Sequence, residues 1–334
     1  MKVMKLLTLI IIVALVAGCE QLLIEENSDT RNVEDFETTW QTINEIYPLL
    51  EFKNIEWDSV YTIYKPLAEK SKGDEIYTIL FDMLNRLKDG HIKILTKGGW
   101  PISTYTAHRY ERDKNSYNPL VIRNYFSKEL RLAGQYKMEY EYLTSELGYV
   151  YISTFSNGDW KYDFDKVLQY FSGSEGLIID IRNNSGGSGS TFYYMLSKFL
   201  RTPIIDTAFY TDGARTYIIN PDNSNQYLKP VVILINGTSA SAAEMFPSLM
   251  KNESNVTLIG DTTAGLGGNT YLFDLPSRKR IQIIDRYYKS YNNVVIEWNG
   301  VAPDIRVEQT ESDIRNGVDN QLEYARDYLN EIIK

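Results

Sequence analysis

Three short stretches of this 334-residue chain, EGLIIDIR (175–182), VVILIN (231–236) and VTLIG (256–260), are apolar almost without interruption. A strand with one wet face alternates apolar and polar residues, whereas a strand covered on both faces has no need to. The helix-like segments TFYYMLSKFL (191–200) and AAEMFPSLM (242–250) fall between them. That order predicts an α/β core in which a sheet of Ile- and Val-rich strands is covered by helices on both sides. Upstream, KMEYEYL and GYVYISTF read as a strand hairpin, and Phe164, Val167, Leu168 and Phe171 as one face of a helix. Downstream, NTYLFDL, RIQIIDRYY and VVIEW follow without helices between them and predict antiparallel additions.

The region before the core is helical in pattern. Phe36, Trp40, Ile43 and Tyr47 recur at helical spacing, as do Val60, Ile63 and Leu67. In a third segment Asp74 is placed to cap, Ile76, Leu80, Leu84 and Leu87 share a face, and Gly90 suits a left-handed residue after the helix end. The strand HIKIL follows at once. The expected organisation is a leader over 1–18, a tether over 19–31, and a helical unit over 32–95. A small β or irregular segment over 96–145, the core over 146–310 and a C-terminal helix over 311–334 complete it, the helix carried by Leu322, Ala325, Leu329 and Ile332.

The leader has two lysines and an apolar run from Leu6 to Val16, too short to span a bilayer of about 30 Å. VAGC at 16–19 resembles a bacterial lipobox, which implies cleavage before Cys19, lipidation of its thiol, and a place on a membrane in the bacterial cell envelope. Cys19 is the only cysteine, so its acylation excludes disulfides and thiolate chemistry. Loss of Lys2 and Lys5 makes a formal net charge of −9 two units more negative. An acidic exported chain without a basic run offers nothing for nucleic acid to bind. His91 and His108 are the only histidines, and neither HExxH nor a CxxC pair is present, so no metal and no organic cofactor are expected.

Two loops at strand ends carry the chemistry. In LIIDIRNNSGGSGS the adjacent Gly186 and Gly187 permit close backbone approach to a ligand and present N–H groups to it. In NGTSASAAE (236–244) Ser239 and Ser241 sit at a strand-to-helix corner, where a serine by itself is ordinarily a cap. Acyl transfer needs a nucleophile at such a corner and two N–H donors aimed at the developing oxyanion. Ala242 is placed to supply one donor, and Gly186 or Gly187 the other.

DIRNNSGG, NGTSASAAE, GDTTAG and NGVAPDI, in that order, resemble the tail-specific or C-terminal processing serine peptidases, a family that includes the tricorn protease core and interphotoreceptor retinoid-binding protein. The resemblance covers about residues 75–310 and implies a ClpP/crotonase-like core of stacked ββα units, here with the N-terminal three-helix unit and C-terminal helix. It places the nucleophile at Ser241 and leaves Ser239 in support. Many members activate the serine with a lysine after GxxTxG, but Leu266 occupies that position and no lysine lies between Lys251 and Lys279. The tricorn-like branch uses a histidine from the end of an N-terminal helix, which matches His91, and a glutamate before GVxPD, which matches Glu297. That branch has a serine before its histidine; here the residue is Gly90. His108, in a polar stretch, is the weaker candidate, and Asp180, between isoleucines, reads as structural.

The resemblance therefore implies a serine endopeptidase that cleaves peptides or unfolded protein segments, anchored to a membrane by its N-terminal lipid. The 57 residues between His91 and Tyr149 are short for an inserted PDZ domain, so strict capture of protein C-termini is not expected. The alternative is a catalytically silent member of the fold that binds apolar ligands or peptides.

Overall fold

The computed structural model describes residues 28–96 and 98–334. The leader and Cys19 lie outside the described residues. Among the described residues no helix is long and apolar enough to cross a membrane.

Two compact units are present. The first comprises most of the chain before Thr104, together with residues 272–283. Its helices are α1 (Ser28–Ile46), α2 (Trp57–Lys70) and α3 (Glu75–Asn85). Helix α1 begins inside the stretch expected to be tether. Phe36, Ile43 and Tyr47 are buried as their spacing predicts, and so are Ile76, Leu80, Leu84 and Leu87. Helix α2 is turned from the expected face: Trp57, Val60, Tyr64 and Ala68 are buried, while Ile63 and Leu67 are about half exposed. Aromatic residues at 57 and 64 outweigh the smaller aliphatic stripe, because they remove more apolar surface from water. The ends of α3 also differ from expectation. The Asp74 side chain makes no capping bond, and Glu75 instead accepts from the Lys72 amide. The left-handed residue after the helix is Lys88 (φ +45°), not Gly90, and Lys53 Nζ donates to the Leu87 carbonyl. Strand β1 (Lys93–Leu95) pairs antiparallel with β2 (Pro101–Ser103) and with Arg280–Gln282.

The second unit holds Asp89–His91, Tyr105–Tyr271 and Ile284–Lys334. Short helices α4 (His108–Asp113) and α5 (Pro119–Arg123) precede strands β3 (Arg131–Ala133), β4 (Met138–Tyr142) and β5 (Leu147–Ile152). Helix α6 (Phe164–Tyr170), β6 (Gly176–Asp180) and α7 (Gly189–Ser197) follow, then a hairpin of β7 (Ile204–Tyr210) and β8 (Gly213–Ile219). The core resumes with β9 (Val231–Ile235), α8 (Ala242–Met250) and β10 (Val256–Gly260). Strand β13 (Ile305–Arg306) and helices α9 (Glu311–Arg315) and α10 (Asn320–Ile332) complete it, while strands β11 (Gly268–Asp274) and β12 (Arg280–Tyr288) each have part of their length in residues 272–283 of the first unit. Strand β12 pairs with β7 through Tyr287 and Tyr288, so the segments read as additions to the parallel sheet belong to a separate one. VVIEW is not a strand: Ile296–Asn299 form a kinked turn with Trp298 at φ +66°.

The seven-stranded sheet runs β13-β10-β9-β6-β5-β4-β3, parallel from β13 to β5 and antiparallel beyond. Leu177, Ile179, Val231 and Ile233 face α6, α7 and α8, whereas Ile178, Val232 and Leu234 face Leu322, Ala325 and Leu329 of α10. Burial of both faces explains why these strands lack alternation. Ile332, counted on the buried face of the last helix, is 48% exposed.

Helix α10 is fastened by charge. Arg182 donates to Asp180 from Nε and Nη2 (3.0 and 2.7 Å), and to Asp319 Oδ1 from Nη1 (2.8 Å), with all three side chains fully buried. Asp319 Oδ1 also accepts the Leu322 amide and so caps the helix. Removing one partner of a buried ion pair costs about 3–5 kcal/mol, because the remaining charge stays desolvated. Asp319→Ala is expected to lower the unfolding free energy in urea by about that amount, and Asp319→Asn, which keeps the cap acceptor, by less.

Candidate active site

The corner at Ser241 is built under backbone strain. Strand β9 ends at Ile235, and α8 begins at Ala242 after Ser241, whose φ of +57° and ψ of −120° are rarely adopted by a residue with a Cβ. Such a conformation costs about 1–3 kcal/mol and persists only where neighbours over-determine it. Here they do. The Glu244 carboxylate, fully buried, accepts the Ser241 amide (2.9 Å), the Leu266 amide (2.8 Å), the Gly265 amide (2.8 Å) and the Thr263 hydroxyl (2.6 Å). Burial pushes the Glu244 carboxyl above its ordinary range, and these four donors oppose that rise. The Glu244 amide donates to the Ser241 carbonyl (2.8 Å), so residues 241 and 244 hold each other through a reciprocal pair of bonds.

Ser239 is fully buried; its Oγ donates to the Ile181 carbonyl (2.9 Å) and accepts the Asn236 amide (3.2 Å). It pins the end of β9 to the loop after β6. In that loop, a Cβ on Gly186 would lie 2.6 Å from the Ala240 carbonyl oxygen and 2.7 Å from Ser241 Cβ. Only glycine lets the loop approach the serine so closely. Of the two expected glycine donors, Gly186 is already engaged, since its amide donates to Asn184 Oδ1 (2.8 Å). Gly187 pairs with Phe155 in a bridge whose bonds use the Gly186 carbonyl and the Ser188 amide, which turns the Gly187 amide away from Phe155. Among the described residues the hydrogen bonds take up neither the Gly187 nor the Ala242 amide. Both residues line, with Ser241, a cavity of about 210 Å³ whose walls also include Phe192, Tyr193, Met245 and Tyr288.

His91 is 8% exposed and lies in a buried group with Asp89 and Glu297. One ligand atom from each of the three falls within 4.8 Å of the others, and Asp89 Oδ1 is 3.7 Å from His91 Nδ1. Asp89 Oδ1 also accepts the His91 backbone amide (2.8 Å), which fixes the residue relative to its carboxylate. An imidazole between two carboxylates is suited to hold and move a proton, and the same donor set and spacing suit a metal ion. The Glu297 carboxylate is fully buried rather than solvated on a strand, and the Gly267 amide points to it at 3.4 Å. Gly267 also lines the Ser241 cavity, so the Gly265–Gly267 loop borders both groups. His108 is exposed at the first residue of α4.

Asp89 and Glu244 carry much of this site and were not singled out in the sequence. Glu244 was legible as the third residue of a capping box after Ser241. Asp89 had as its only signal an Asp two residues before the histidine.

Segment 146–307 matches the family model described as peptidase family S41, and 29–85 the one described as the tricorn protease C1 domain. A carboxyl-terminal-processing protease of Synechocystis sp. is 28% identical over 188 residues, 55% of this chain and 44% of the relative. A carboxy-terminal processing protease of Bacillus subtilis is 27% identical over 258 residues, 73% of this chain and 51% of the relative. The chain thus spans about half the length of these curated relatives. A solved structure from Parabacteroides merdae, classed as a peptidase, superposes with a TM-score of 0.77 at 28% identity, over 89% of this chain and 96% of that one.

Gly186→Ala would drive a methyl group against Ser241 and to 2.9 Å from the Ala242 nitrogen. Loss of one oxyanion donor typically lowers rates about 100- to 1000-fold. The expected outcome is a fall of that order in the rate at which a fluorophosphonate phosphonylates Ser241 with loss of fluoride, with the circular dichroism spectrum retained.

Proposed function

Residues 146–307 of the chain belong to peptidase family S41, and on that premise we propose that it hydrolyses peptide bonds with Ser241 as nucleophile and His91 as general base. The observation that carries this reading is the strained Ser241 corner, whose backbone is held by Glu244 where Gly187 and Ala242 line the same cavity. Ser241 Oγ attacks the scissile carbonyl and His91 accepts its proton. The tetrahedral oxyanion is met by the Gly187 and Ala242 amides, and His91 then returns the proton to the leaving amine. Water repeats the sequence on the acyl-enzyme. Asp89 and Glu297 act as positioning residues: they orient the imidazole and stabilise the imidazolium that forms when it takes the proton. Substrates are peptides or unfolded protein segments, because the cavity beside Ser241 admits about one side chain. The lipobox-like VAGC supports attachment to a membrane of the bacterial cell envelope through Cys19.

Fluorophosphonate labelling tests the reading. The wild type is expected to label and Ser241→Ala is not; a folded wild type that resists the probe overturns the proposal. His91→Ala is expected to lower kcat/KM by about 100- to 10,000-fold, the usual contribution of a general base. Asp89→Asn and Glu297→Gln should lower kcat more than they change KM.

A further inference from the structure

Strand register places an unusual set of side chains on the wall of the Ser241 cavity. Asp206 pairs with Tyr217 and Ala208 with Arg215 across β7 and β8, and Tyr288 of β12 pairs with Ala208. Side chains two apart along a strand share a face. Arg286 therefore stands beside Tyr288 and opposite Tyr210, on the same face as Tyr217 and Arg215. Ala208, fully buried and the smallest of the set, leaves room between its larger neighbours.

Arg286 is the one charged residue among those lining the cavity, which otherwise presents rings, a thioether, glycines, Ala242 and the Asn269 amide beside Ser241. Its guanidinium is held in place: Nη1 donates to the Tyr210 hydroxyl and Nε to Asp285 Oδ1 (3.1 Å). Among the described residues no hydrogen bond takes Nη2. Tyr210 also carries the Arg215 guanidinium, 4.0 Å from its ring centroid, so its ring is in contact with two arginines. The acid on this face, Asp206, is buried and receives the Tyr193 hydroxyl (2.5 Å), and burial pushes its carboxyl above the ordinary range. Its carboxylate is taken up by the Tyr193 hydroxyl and is not among the groups lining the cavity.

Building on the peptidase reading, we propose that this cavity selects for an acidic side chain on the residue that donates the scissile carbonyl, and that Arg286 is the specificity determinant. A planar guanidinium fixed on one edge presents its remaining N–H groups to a carboxylate without the entropy loss of a mobile cation. The aromatic walls take the methylenes of the same side chain. The cavity opens at Ser241 and at the Gly187 and Ala242 amides, where the scissile carbonyl must lie. The group that enters it therefore belongs to the residue carrying that carbonyl, whereas a free C-terminal carboxylate stands beyond the scissile bond on the leaving side.

The experiment uses internally quenched peptides with amidated C-termini that differ only at that residue: Glu, Gln, Leu or Lys. The wild type is expected to cleave the Glu peptide at least about tenfold more efficiently than the Gln peptide, as sites built on a charged hydrogen bond discriminate against analogues that cannot complete it. In Arg286→Gln that ratio should collapse towards one. Equal cleavage of Glu and Gln peptides, a preference for Leu or Lys, survival of the Glu preference in Arg286→Gln, or a requirement for a free C-terminal acid would each overturn it. Binding of the same peptides to Ser241→Ala, followed by fluorescence anisotropy, reads the preference without turnover. Labelling of the wild type by the fluorophosphonate reports separately on the peptidase reading, so the two can fail independently.

Discussion

The Glu244 carboxylate is the interaction on which the rest of the second unit's chemistry depends. It is fully buried, and its two oxygens gather donors from Ser241, Thr263, Gly265 and Leu266. A carboxylate so placed is costly to desolvate, and it is retained where its hydrogen bonds are complete. These bonds explain why two motifs far apart in sequence travel together: SASAAE supplies the carboxylate and the strained serine, and DTTAG with the Leu266 that follows it supplies the remaining donors. Thr263 extends the tie to the third, since its hydroxyl accepts the Val301 amide (2.7 Å) from NGVAPDI while donating to Glu244. Ala240 and Asn184 join the fourth, through the Ala240 amide and the Asn184 carbonyl (3.0 Å).

The glycines of TTAGLGG have a related cause. A Cβ on Gly267 would fall 2.5 Å from Ile296 Cβ, and the Trp298 amide donates to the Gly265 carbonyl (2.9 Å). The loop lies backbone to backbone against the turn that carries Glu297. Positions of Ser241 and Glu297 are thus set by one short segment, which contacts Glu244 through its amides on one side and Glu297 on the other. Rigid support of this kind is what a site needs if reacting groups are to stay within a fraction of an ångström of working geometry.

Much of this was legible in the sequence, for identifiable reasons. The three apolar strands announced a sheet buried on both faces, and the glycine loop and small-residue corner announced close backbone approach. The hairpin at 204–219 was missed although TDGA in its middle is a turn signal. Its strands include an exposed face, so Arg215, Tyr217 and Ile218 blur the apolar pattern. The burial of Glu297 was invisible because a glutamate in VVIEW reads as a solvated carboxylate on a strand; only the tertiary turn encloses it. Asp89 gained its role from a distance of two residues to His91, which no periodicity reports.

The two departures from the family pattern, leucine for lysine at 266 and glycine for serine at 90, read in the sequence as separate losses. In the fold they are one packing decision. A Cβ on Gly90 would lie 3.0 Å from Leu266 Cδ2 and 3.3 Å from its Cδ1, so the leucine side chain fills the space over the glycine. A serine at 90 would press on that leucine, and a lysine at 266 would bring a charge to the residue preceding His91, where burial penalises it. With the leucine in place, the polar work at the histidine falls to groups that enter from elsewhere. Asp89 reaches it through the backbone turn, and Glu297 from the turn held by the Gly265–Gly267 loop. The apolar Leu266 also keeps its amide on Glu244. The residue that stands where the family lysine would be therefore helps to hold the serine's own scaffold and packs over the glycine that precedes His91.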